Sequence, residues 1–341
     1  MEKNKIGIYP WAEALEKQGD KHQILFYEAL EKNNYNVVKI KYKRGLPLKH
    51  ALKQNVDLLV LDWVHSFYTS QSIINTVIKA FLGYLDLVFL KKDKTIITWN
   101  LHNLQRHDGK FGAIEKFCFK KLAKKVDYIR VFNKSHVNKV SEYLKIAKSK
   151  IIVIPQGPYI YNSSVAVNIH ERYIIPNNKN ILLVFGSIRS GKGIDKFLKS
   201  FVQCKTENFY LLVAGKASEM PLNSEINEII KDSNNIIFDN RFIPDEEVNA
   251  YFKSCQYVVL PYENTLNSGI LLLAKSNDSR LLANENFKEY AENGDVIGDL
   301  FIAEALQESL NQLIIKKRDI PRISPPNWDS VVKKFEKILN E

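Results

Sequence analysis

Short apolar runs alternate with amphipathic stretches along this sequence, and that alternation constrains the fold more than any other feature. In the first half, strand-like runs such as Ile6–Tyr9, Leu58–Leu61 and Tyr128–Phe132 are separated by helical segments such as Gln23–Lys32 and Ile73–Leu90. A repeated order of strand, helix and strand predicts a parallel sheet with helices on both faces.

The alternation is interrupted around the turn Pro155–Pro158, and a second series starts with the strand-like run Ile181–Phe185. A chain of 341 residues is also longer than one hydrophobic core usually organises. We therefore predict an α/β protein with two Rossmann-like domains and parallel sheets. The expected domains are residues 1–163 and 164–325, followed by a C-terminal helix at 326–341 that could pack on either domain and is expected to cross back to the first.

Positive charge is concentrated in the first half of the chain. Residues 1–150 contain 28 Lys and Arg against 14 Asp and Glu, whereas the net charge of the whole chain is +11. A positively charged surface attracts nucleic acid or an anionic membrane. The alternative explanation is that these lysines only contact solvent. The helical segment Ile114–Lys124 combines lysines with Phe117 and Phe119 and is a candidate membrane contact. No helix-turn-helix, zinc or aromatic RNA-binding pattern accompanies it, so no nucleic-acid partner is expected.

Cysteine spacing and hydropathy indicate the compartment. The three cysteines lie far apart, which fits a reducing environment, and the sequence starts without the apolar core of a signal peptide. The longest apolar window, Ser72–Leu90, is interrupted by polar and charged side chains, so we do not expect it to span a membrane. These features predict a cytoplasmic protein, with contact to the inner face of the plasma membrane that is peripheral.

A glycine-rich loop follows the strand-like run that starts the second series. In this loop, Gly186 and Gly193 enclose two cations, Arg189 and Lys192, directly before a helical segment. Backbone amides and cations in this position could bind a diphosphate and stabilise its charge as a leaving group. The string is not a Walker loop, which would need Ser or Thr where Gly193 stands. A structural turn with surface cations is the alternative explanation.

A second loop of the same kind follows the strand-like run Tyr257–Leu260. It ends in Ser268 and Gly269 at the start of an apolar helix, where a hydroxyl and free amides could bind phosphate. Glu263 or Asn267 in this loop could bind ribose or sugar hydroxyls. An ordinary helix N-cap is the alternative explanation for Ser268.

Taken together, these motifs resemble a known enzyme family. The runs F-G-S-I-R-S-G-K-G-I-D from Phe185, R-F-I-P-D-E-E-V from Arg241 and V-V-L-P-Y-E-N-T-L-N-S-G-I from Val258 are similar to the donor-binding domain of GT-B glycosyltransferases related to glycosyltransferase family four. Thr98–Leu104 and Ile151–Gly157 extend the similarity to the first half. The resemblance implies two facing Rossmann-like domains, a UDP- or GDP-sugar donor bound mainly by the second, and an acceptor bound by the first.

The resemblance also implies roles for individual residues. Lys192 and Arg189 match the cations that bind the donor diphosphate, and Ser268 and Gly269 match the helix start that contacts phosphate. His102 matches a histidine near the transferred sugar. Phe242 and Ile243 fall where the nucleotide base is lined. No cofactor and no metal are expected, because no D-x-D-like carboxylate pair accompanies the phosphate loops. The acceptor implied is a saccharide, expected to be a lipid-linked intermediate of capsule or exopolysaccharide synthesis.

One departure from the family leaves the stereochemistry open. Many retaining members carry two glutamates where this chain has Thr265 and Leu273. An inverting enzyme would need a base from the acceptor half, and Asp20 and Asp108 are the candidates for that base. Two other functions are also compatible with the sequence. The chain could be a non-catalytic partner that binds a nucleotide sugar or glycan, or a nucleotide-sugar epimerase on the same fold.

Overall fold

A computed structural model describes residues 4–11, 22–90, 94–105, 110–161, 167–217, 220–263, 266–315 and 324–340. By its internal contacts, the chain divides into two compact units. The first unit comprises Met1–Gly157 and Pro326–Glu341, and the second comprises Pro158–Pro325. Each unit contains one six-stranded sheet.

The first unit alternates strands and helices. Its strands are β1 (Lys5–Trp11), β2 (Asn36–Lys41), β3 (Leu58–Leu61), β4 (Ile96–Asn100), β5 (Tyr128–Val131) and β6 (Ile151–Val153). Its helices are α1 (His22–Lys32), α2 (Pro47–Leu52), α3 (His65–Tyr68), α4 (Ile73–Val88), α5 (Gly112–Lys125) and α6 (His136–Leu144), with a 3₁₀ turn at Lys148–Lys150.

The sheet of the first unit has the order β2-β1-β3-β4-β5-β6, and all neighbouring strands pair in parallel. All four residues of β3 are buried, as expected for a strand covered by helices on both faces. The strand order reverses direction between β1 and β3. In doubly wound sheets such a reversal opens a crevice at the carboxyl ends of the strands, where ligands bind.

The second unit repeats this arrangement. Its strands are β7 (Asn180–Phe185), β8 (Phe209–Ala214), β9 (Ile236–Asp239), β10 (Tyr257–Leu260), β11 (Arg280–Ala283) and β12 (Val296–Ile297). Its helices are α7 (Ile169–Arg172), α8 (Ile194–Phe201), α9 (Met220–Ile230), α10 (Asp245–Ser254), α11 (Gly269–Ser276) and α12 (Ala303–Ile315), with a 3₁₀ helix at Glu285–Tyr290.

The second sheet has the order β12-β11-β10-β7-β8-β9 and is also parallel throughout. Its strand order reverses between β7 and β10. Apolar side chains from β7, β8, α8 and α12 form one continuous core on this sheet. The two parallel six-stranded sheets with flanking helices confirm the predicted α/β class with two Rossmann-like halves. The short strands β11 and β12 were not predicted from the sequence.

The C-terminal helix α13 (Trp328–Asn340) belongs to the first unit. Val331, Val332 and Phe335 on its apolar stripe are at most 1% exposed and join the core formed by β1, β3 and α1. The indole of Trp328 lies against Gly157, where an added Cβ would come within 2.4 Å of the ring. Gly157 therefore has a steric reason to be glycine. Within the residues that the structure describes, no helix is both long and apolar enough to cross a membrane.

Candidate active site

The two glycine-containing loops of the second unit lie side by side at the reversal point of its sheet. An added Cβ on Gly193 would lie 2.3 Å from the carbonyl oxygen of Pro261, which begins the second loop. An added Cβ on Gly186 would lie 3.1 Å from the side chain of Ile270 in α11. The two loops identified in the sequence are therefore one structural site, at the position where doubly wound sheets bind ligands.

Backbone conformation explains two of the three glycines of the first loop. Gly186 has φ +93° and Gly193 has φ +67°, in the left-handed region that side chains other than glycine rarely adopt. Gly193 directly precedes α8, so the loop closes around the free amides at the N-terminus of that helix. Arg189 and Lys192, both partly exposed, lie within this loop.

Lys192 occupies an environment that disfavours its positive charge. Desolvation, followed by the nearby charge of Arg189, lowers the pKa of Lys192 from its ordinary value to about 7. Its Nζ lies 5.3 Å from the centre of the Tyr262 ring in the second loop. An anion bound between the two loops would stabilise the charged form, because opposite charges raise the pKa of an amine.

The second loop ends in a capped helix start. The Ser268 hydroxyl accepts a hydrogen bond of 3.2 Å from the amide of Leu271. Ser268 is therefore the N-cap of α11, as the alternative explanation predicted. Ser268 is 6% exposed, whereas Gly269 is exposed. A Cβ atom added at Gly269 would lie 3.3 Å from the Tyr159 ring. The other backbone amides at the N-terminus of α11 can donate hydrogen bonds to a phosphate.

The remaining predicted donor-site residues differ in how accessible they are. Phe242 is 53% exposed in the loop after β9, whereas Ile243 is 6% exposed and belongs to the interior. The Glu263 carboxylate forms an exposed ion pair with Lys196 of α8, and Asn267 is partly exposed. Of the two side chains predicted to line the nucleotide base, Phe242 is therefore accessible to a ligand and Ile243 is not.

In the first unit, three polar side chains meet at the carboxyl edge of the sheet. The Nε2 atom of His102, beyond β4, lies 2.7 Å from Oδ1 of Asp62, which follows β3. The ring of His22, at the start of α1, lies edge-on to the His102 ring at a centroid distance of 5.1 Å. All three residues are at most 7% exposed. They lie at the reversal point between β1 and β3, where the sheet order predicts a ligand crevice.

Hydrogen bonds keep the buried Asp62 ionised. Burial by itself raises its pKa, but hydrogen bonds from His102 and Asn100 and the positive charge of the histidines outweigh burial, so the pKa of Asp62 lies below its usual value. Because an ionised carboxylate can only accept, Nε2 of His102 carries the hydrogen of this bond. In the neutral form of the ring, Nδ1 is then the basic nitrogen. The pKa of His22 is lowered well below its usual value, first by burial and then by the charge of His102.

Trp63 fixes the orientation of the His102 ring. Its indole stacks on the imidazole at a centroid distance of 4.2 Å and an interplanar angle of 7°. The backbone of Trp63 has φ +46°, an uncommon value for a bulky residue that costs roughly 1–2 kcal/mol. Strained residues of this kind concentrate at functional sites.

Asp62 is a site residue that the sequence did not predict. Asp62 was not identified as a candidate, although an aspartate directly after the buried run Leu58–Leu61 is a signal that could have been used. Asp20 and Asp108, the two proposed bases, lie outside the described residues. Among the residues that are described, His22, Asp62 and His102 have ligand atoms within 4.8 Å of one another and could hold a metal ion. The direct bond between His102 and Asp62 favours a hydrogen-bonded pair instead.

Comparisons with known proteins agree with this architecture. Residues 167–270 match the family model "Glycosyl transferases group 1". Two relatives from Xanthomonas campestris pv. campestris are both GDP-mannose:glycolipid 4-beta-D-mannosyltransferases. One is 22% identical over 75% of this chain and 68% of its own length. The other is 23% identical over 70% of this chain and 64% of its own length.

Solved structures share the fold along the whole chain. Sucrose-phosphate synthase from Thermosynechococcus elongatus superposes with a TM-score of 0.74 at 12% identity, covering 99% of this chain and 98% of that one. A glycosyltransferase from Rickettsia africae gives 0.69 at 15% identity, with coverage of 100% and 98%. Anabaena Alr3699/HepE, solved with UDP-glucose, gives 0.66 at 12% identity, with coverage of 98% and 99%.

Fold and comparisons together define the class of this protein. The two parallel six-stranded sheets are those of the GT-B fold. The chain is a glycosyltransferase.

Proposed function

We propose that this enzyme transfers a sugar from a UDP- or GDP-sugar to a saccharide acceptor carried on a lipid, in the synthesis of a capsule or another surface polysaccharide. The observation that carries the donor half of this proposal is the contact between the two loops of the second unit. Gly193 of the first loop touches Pro261 of the second, which brings the two loops together. We propose that Arg189, Lys192 and the start of α11 bind an anion there.

The proposed role of this site is to bind the diphosphate and stabilise it as it leaves. Arg189 and Lys192 supply positive charge, and the backbone amides at Ser268 and Gly269 supply hydrogen bonds. Phe242 supplies an exposed aromatic surface for the nucleotide base. Because cations and amides supply this stabilisation, we propose a metal-independent reaction, in which a chelator such as EDTA leaves nucleotide release unchanged.

We further propose that the reaction inverts the anomeric carbon, with His102 as the base. Nδ1 of His102 accepts the proton of the acceptor hydroxyl, the hydroxyl oxygen bonds to the anomeric carbon, and the bond from that carbon to the diphosphate breaks. The negative charge passes to the diphosphate. Asp62 stabilises the imidazolium that forms. Asp20 and Asp108 stay predicted alternative bases.

Two observations support inversion. The glutamate pair of many retaining relatives is absent from this sequence, where Thr265 and Leu273 stand instead. Inversion at an α-configured nucleotide sugar gives a β-linkage, which is the linkage in the names of the two Xanthomonas relatives. Those names also specify a glycolipid acceptor, which supports a lipid-linked acceptor here. An acceptor of that kind supports a cytoplasmic enzyme with peripheral contact to the inner face of the plasma membrane.

A donor screen tests the proposal. Purified protein is incubated with a panel of UDP- and GDP-sugars and a membrane extract as acceptor source, and released nucleotide is measured for the wild type, Lys192→Ala and Lys199→Ala. Lys199 lies on α8 in an exposed ion pair with Glu225 and serves as the matched control. We expect extract-dependent release that Lys192→Ala reduces at least about a hundredfold and Lys199→Ala leaves unchanged. Equal release by the wild type and Lys192→Ala would refute the proposed role of the loop.

A further inference from the structure

Helix α4 has its apolar side turned towards water. Seven of its large apolar side chains are between 37% and 70% exposed, namely Ile73, Ile74, Val77, Ile78, Phe81, Tyr84 and Val88. At 100° per residue they occupy one arc of about 140°. The buried side of the helix consists instead of Thr76, Gly83, Asp86 and Leu87. A helix of a globular protein normally buries its apolar side, so this exposed arc indicates a binding surface.

The inward-facing acid of α4 has a structural role. The carboxylate of Asp86 accepts hydrogen bonds of 2.6 and 3.1 Å from the amides of Leu48 and Lys49 at the N-terminus of α2. These bonds fix which side of α4 faces the protein. The apolar arc is therefore exposed because of a specific attachment on the opposite side of the helix.

Helix α5 extends the apolar arc with positive charge. The ring centres of Tyr84 in α4 and Phe117 in α5 lie 6.2 Å apart. Nζ of Lys121 lies 5.7 Å from the centre of the Tyr84 ring and 5.3 Å from that of Phe117. Phe117, Lys120, Lys121 and Lys124 fall within an arc of about 100° on α5. Phe119, which we expected to lie with Phe117 at the membrane contact, is instead fully buried against Trp99. We call the exposed arc of α4 together with these four α5 residues the α4–α5 surface.

The α4–α5 surface carries positive charge without an acidic counterpart from its own helices. Glu115 of α5 is buried and bonds to Nδ1 of His65 at 2.7 Å, and Asp86 of α4 is buried as described above. The pKa of Lys120 is lowered, first by partial desolvation and then by the positive charges of Lys145 and Lys116. An anionic partner would relieve this repulsion between like charges.

We propose that the α4–α5 surface docks on a bilayer that contains anionic phospholipid, with the apolar arc of α4 inserted among the acyl chains and the α5 lysines at the headgroups. Amphipathic helices bind membranes through this combination of apolar area and Lys or Arg. The biological role of this docking rests on the proposed function, because docking brings the first unit to the membrane surface where a lipid-linked acceptor lies.

Charge decides between a bilayer and a second copy of this chain. Self-association through a two-fold axis would place the lysines of one α4–α5 surface near those of the other, since such an interface uses the same patch twice. Like charges in contact disfavour that arrangement, whereas anionic headgroups favour docking. The lysines therefore favour a lipid surface over a dimer of this face.

Vesicle binding by the full chain tests the proposal. Co-sedimentation is measured with vesicles of phosphatidylcholine alone and with about one-third phosphatidylglycerol, at low and high salt. The variants are Ile74→Ser/Phe81→Ser, which shortens two exposed apolar side chains, and Lys121→Glu/Lys124→Glu, which reverses two charges. Ile302→Ser/Ile314→Ser is the matched control, because Ile302 and Ile314 are 52% and 53% exposed in the second unit.

We expect the wild type and the control to bind anionic vesicles at least about tenfold more tightly than neutral ones, with weaker binding at high salt. Each α4–α5 variant should lose about tenfold or more in partitioning. Absence of wild-type binding, or equal binding by the variants, would overturn the proposal. So would a dimer, measured by light scattering, that the Ile74→Ser/Phe81→Ser variant dissociates. Binding of a nucleotide sugar by the same preparations tests the proposed function separately, since that site lies in the second unit.

Discussion

The imidazole Nε2 of His102 lies 2.7 Å from the carboxylate Oδ1 of Asp62, and both side chains are buried beyond the ends of the neighbouring strands β4 and β3. A buried ionised carboxylate bonded to one nitrogen selects the tautomer in which the other nitrogen is basic. Hydrolases use the same relationship to hold a general base in position. In this chain it provides a base in the unit that we expect to bind the acceptor.

Removal of the charge of Asp62 should therefore impair chemistry without impairing donor binding. For Asp62→Asn we predict a fall in kcat of about 10²–10⁴, because the amide can donate to Nε2 and favour the wrong tautomer. His102→Ala should fall by a similar factor. Donor dissociation constants, measured by calorimetry, should stay within about twofold of the wild-type value because the proposed donor site lies in the second unit.

A second histidine–carboxylate pair provides the control for that prediction. His65 and Glu115 are joined at 2.7 Å in the same unit, outside the proposed site. Glu115→Gln should leave kcat close to the wild-type value, even if it lowers stability. An Asp62→Asn enzyme with wild-type kcat would exclude the proposed role of the pair.

The depressed pKa of Lys192 predicts pH-dependent donor binding. In the free enzyme Lys192 loses its proton as the pH rises through about 7. A bound diphosphate raises that pKa again, so above pH 7 the amine must take up a proton when the donor binds. Affinity for a nucleotide sugar should consequently fall as the pH rises above 7, by up to about tenfold per unit. Calorimetry in buffers of different ionisation enthalpy should detect the uptake of up to one proton.

Lys192→Arg is the matched variant for the pH experiment. Arginine stays charged throughout this range, so the pH dependence and the proton uptake should both disappear while binding is retained. A wild-type affinity that is constant between pH 6 and 9 would contradict the assignment of Lys192 to the diphosphate.

Gly193 should tolerate no side chain. Gly193→Ala places a Cβ 2.3 Å from the Pro261 carbonyl in a backbone with φ +67°, so the two loops must separate. We predict a loss of about 2 kcal/mol in the free energy of unfolding, together with weaker nucleotide-sugar binding. Gly112→Ala is the control, since an added Cβ there meets no atom within 4 Å, and it should change both quantities little. Wild-type donor affinity in Gly193→Ala would show that the contact between the loops does not matter for binding.

The C-terminal helix should stabilise the first unit. Phe335 is 1% exposed in its core, so Phe335→Ala should lower the free energy of unfolding by about 3–5 kcal/mol. All four tryptophans of the chain, Trp11, Trp63, Trp99 and Trp328, belong to the first unit, so their fluorescence in urea follows that unit selectively. The exposed Lys334→Ala should stay within about 0.5 kcal/mol of the wild type. Equal midpoints for the two variants would contradict the packing described for α13.

Strongly apolar strands were predictable from the sequence, and weakly marked ones were not. Leu58–Leu61 and Tyr257–Leu260 have the bounds that the sequence predicted, because a short continuous apolar run fits a parallel strand buried on both faces. β11 and β12 were missed. β11 begins with the buried Arg280, and β12 has only two residues, so neither gives a periodic signal.

For the candidate site, local motifs predicted more than pairings between distant segments. The donor loops are recognisable because glycine, cations and a helix start follow one another in the sequence. Asp62 pairs with a residue forty positions away, and only the order of β3 and β4 in the sheet reveals that pairing. The burial of individual side chains was also not predictable from the sequence. Spacing alone did not show that Phe119 is buried and Phe117 is exposed.

Binding and turnover of a nucleotide sugar, measured in one experiment, test the proposed roles of the two units together. Release of UDP or GDP from the donor found in the screen is measured with and without membrane extract, for the wild type, Asp62→Asn and Lys192→Ala. We predict extract-dependent release by the wild type, donor binding without release by Asp62→Asn, and loss of binding in Lys192→Ala. A wild-type protein that neither binds nor turns over any nucleotide sugar, with or without the extract, would contradict these predictions.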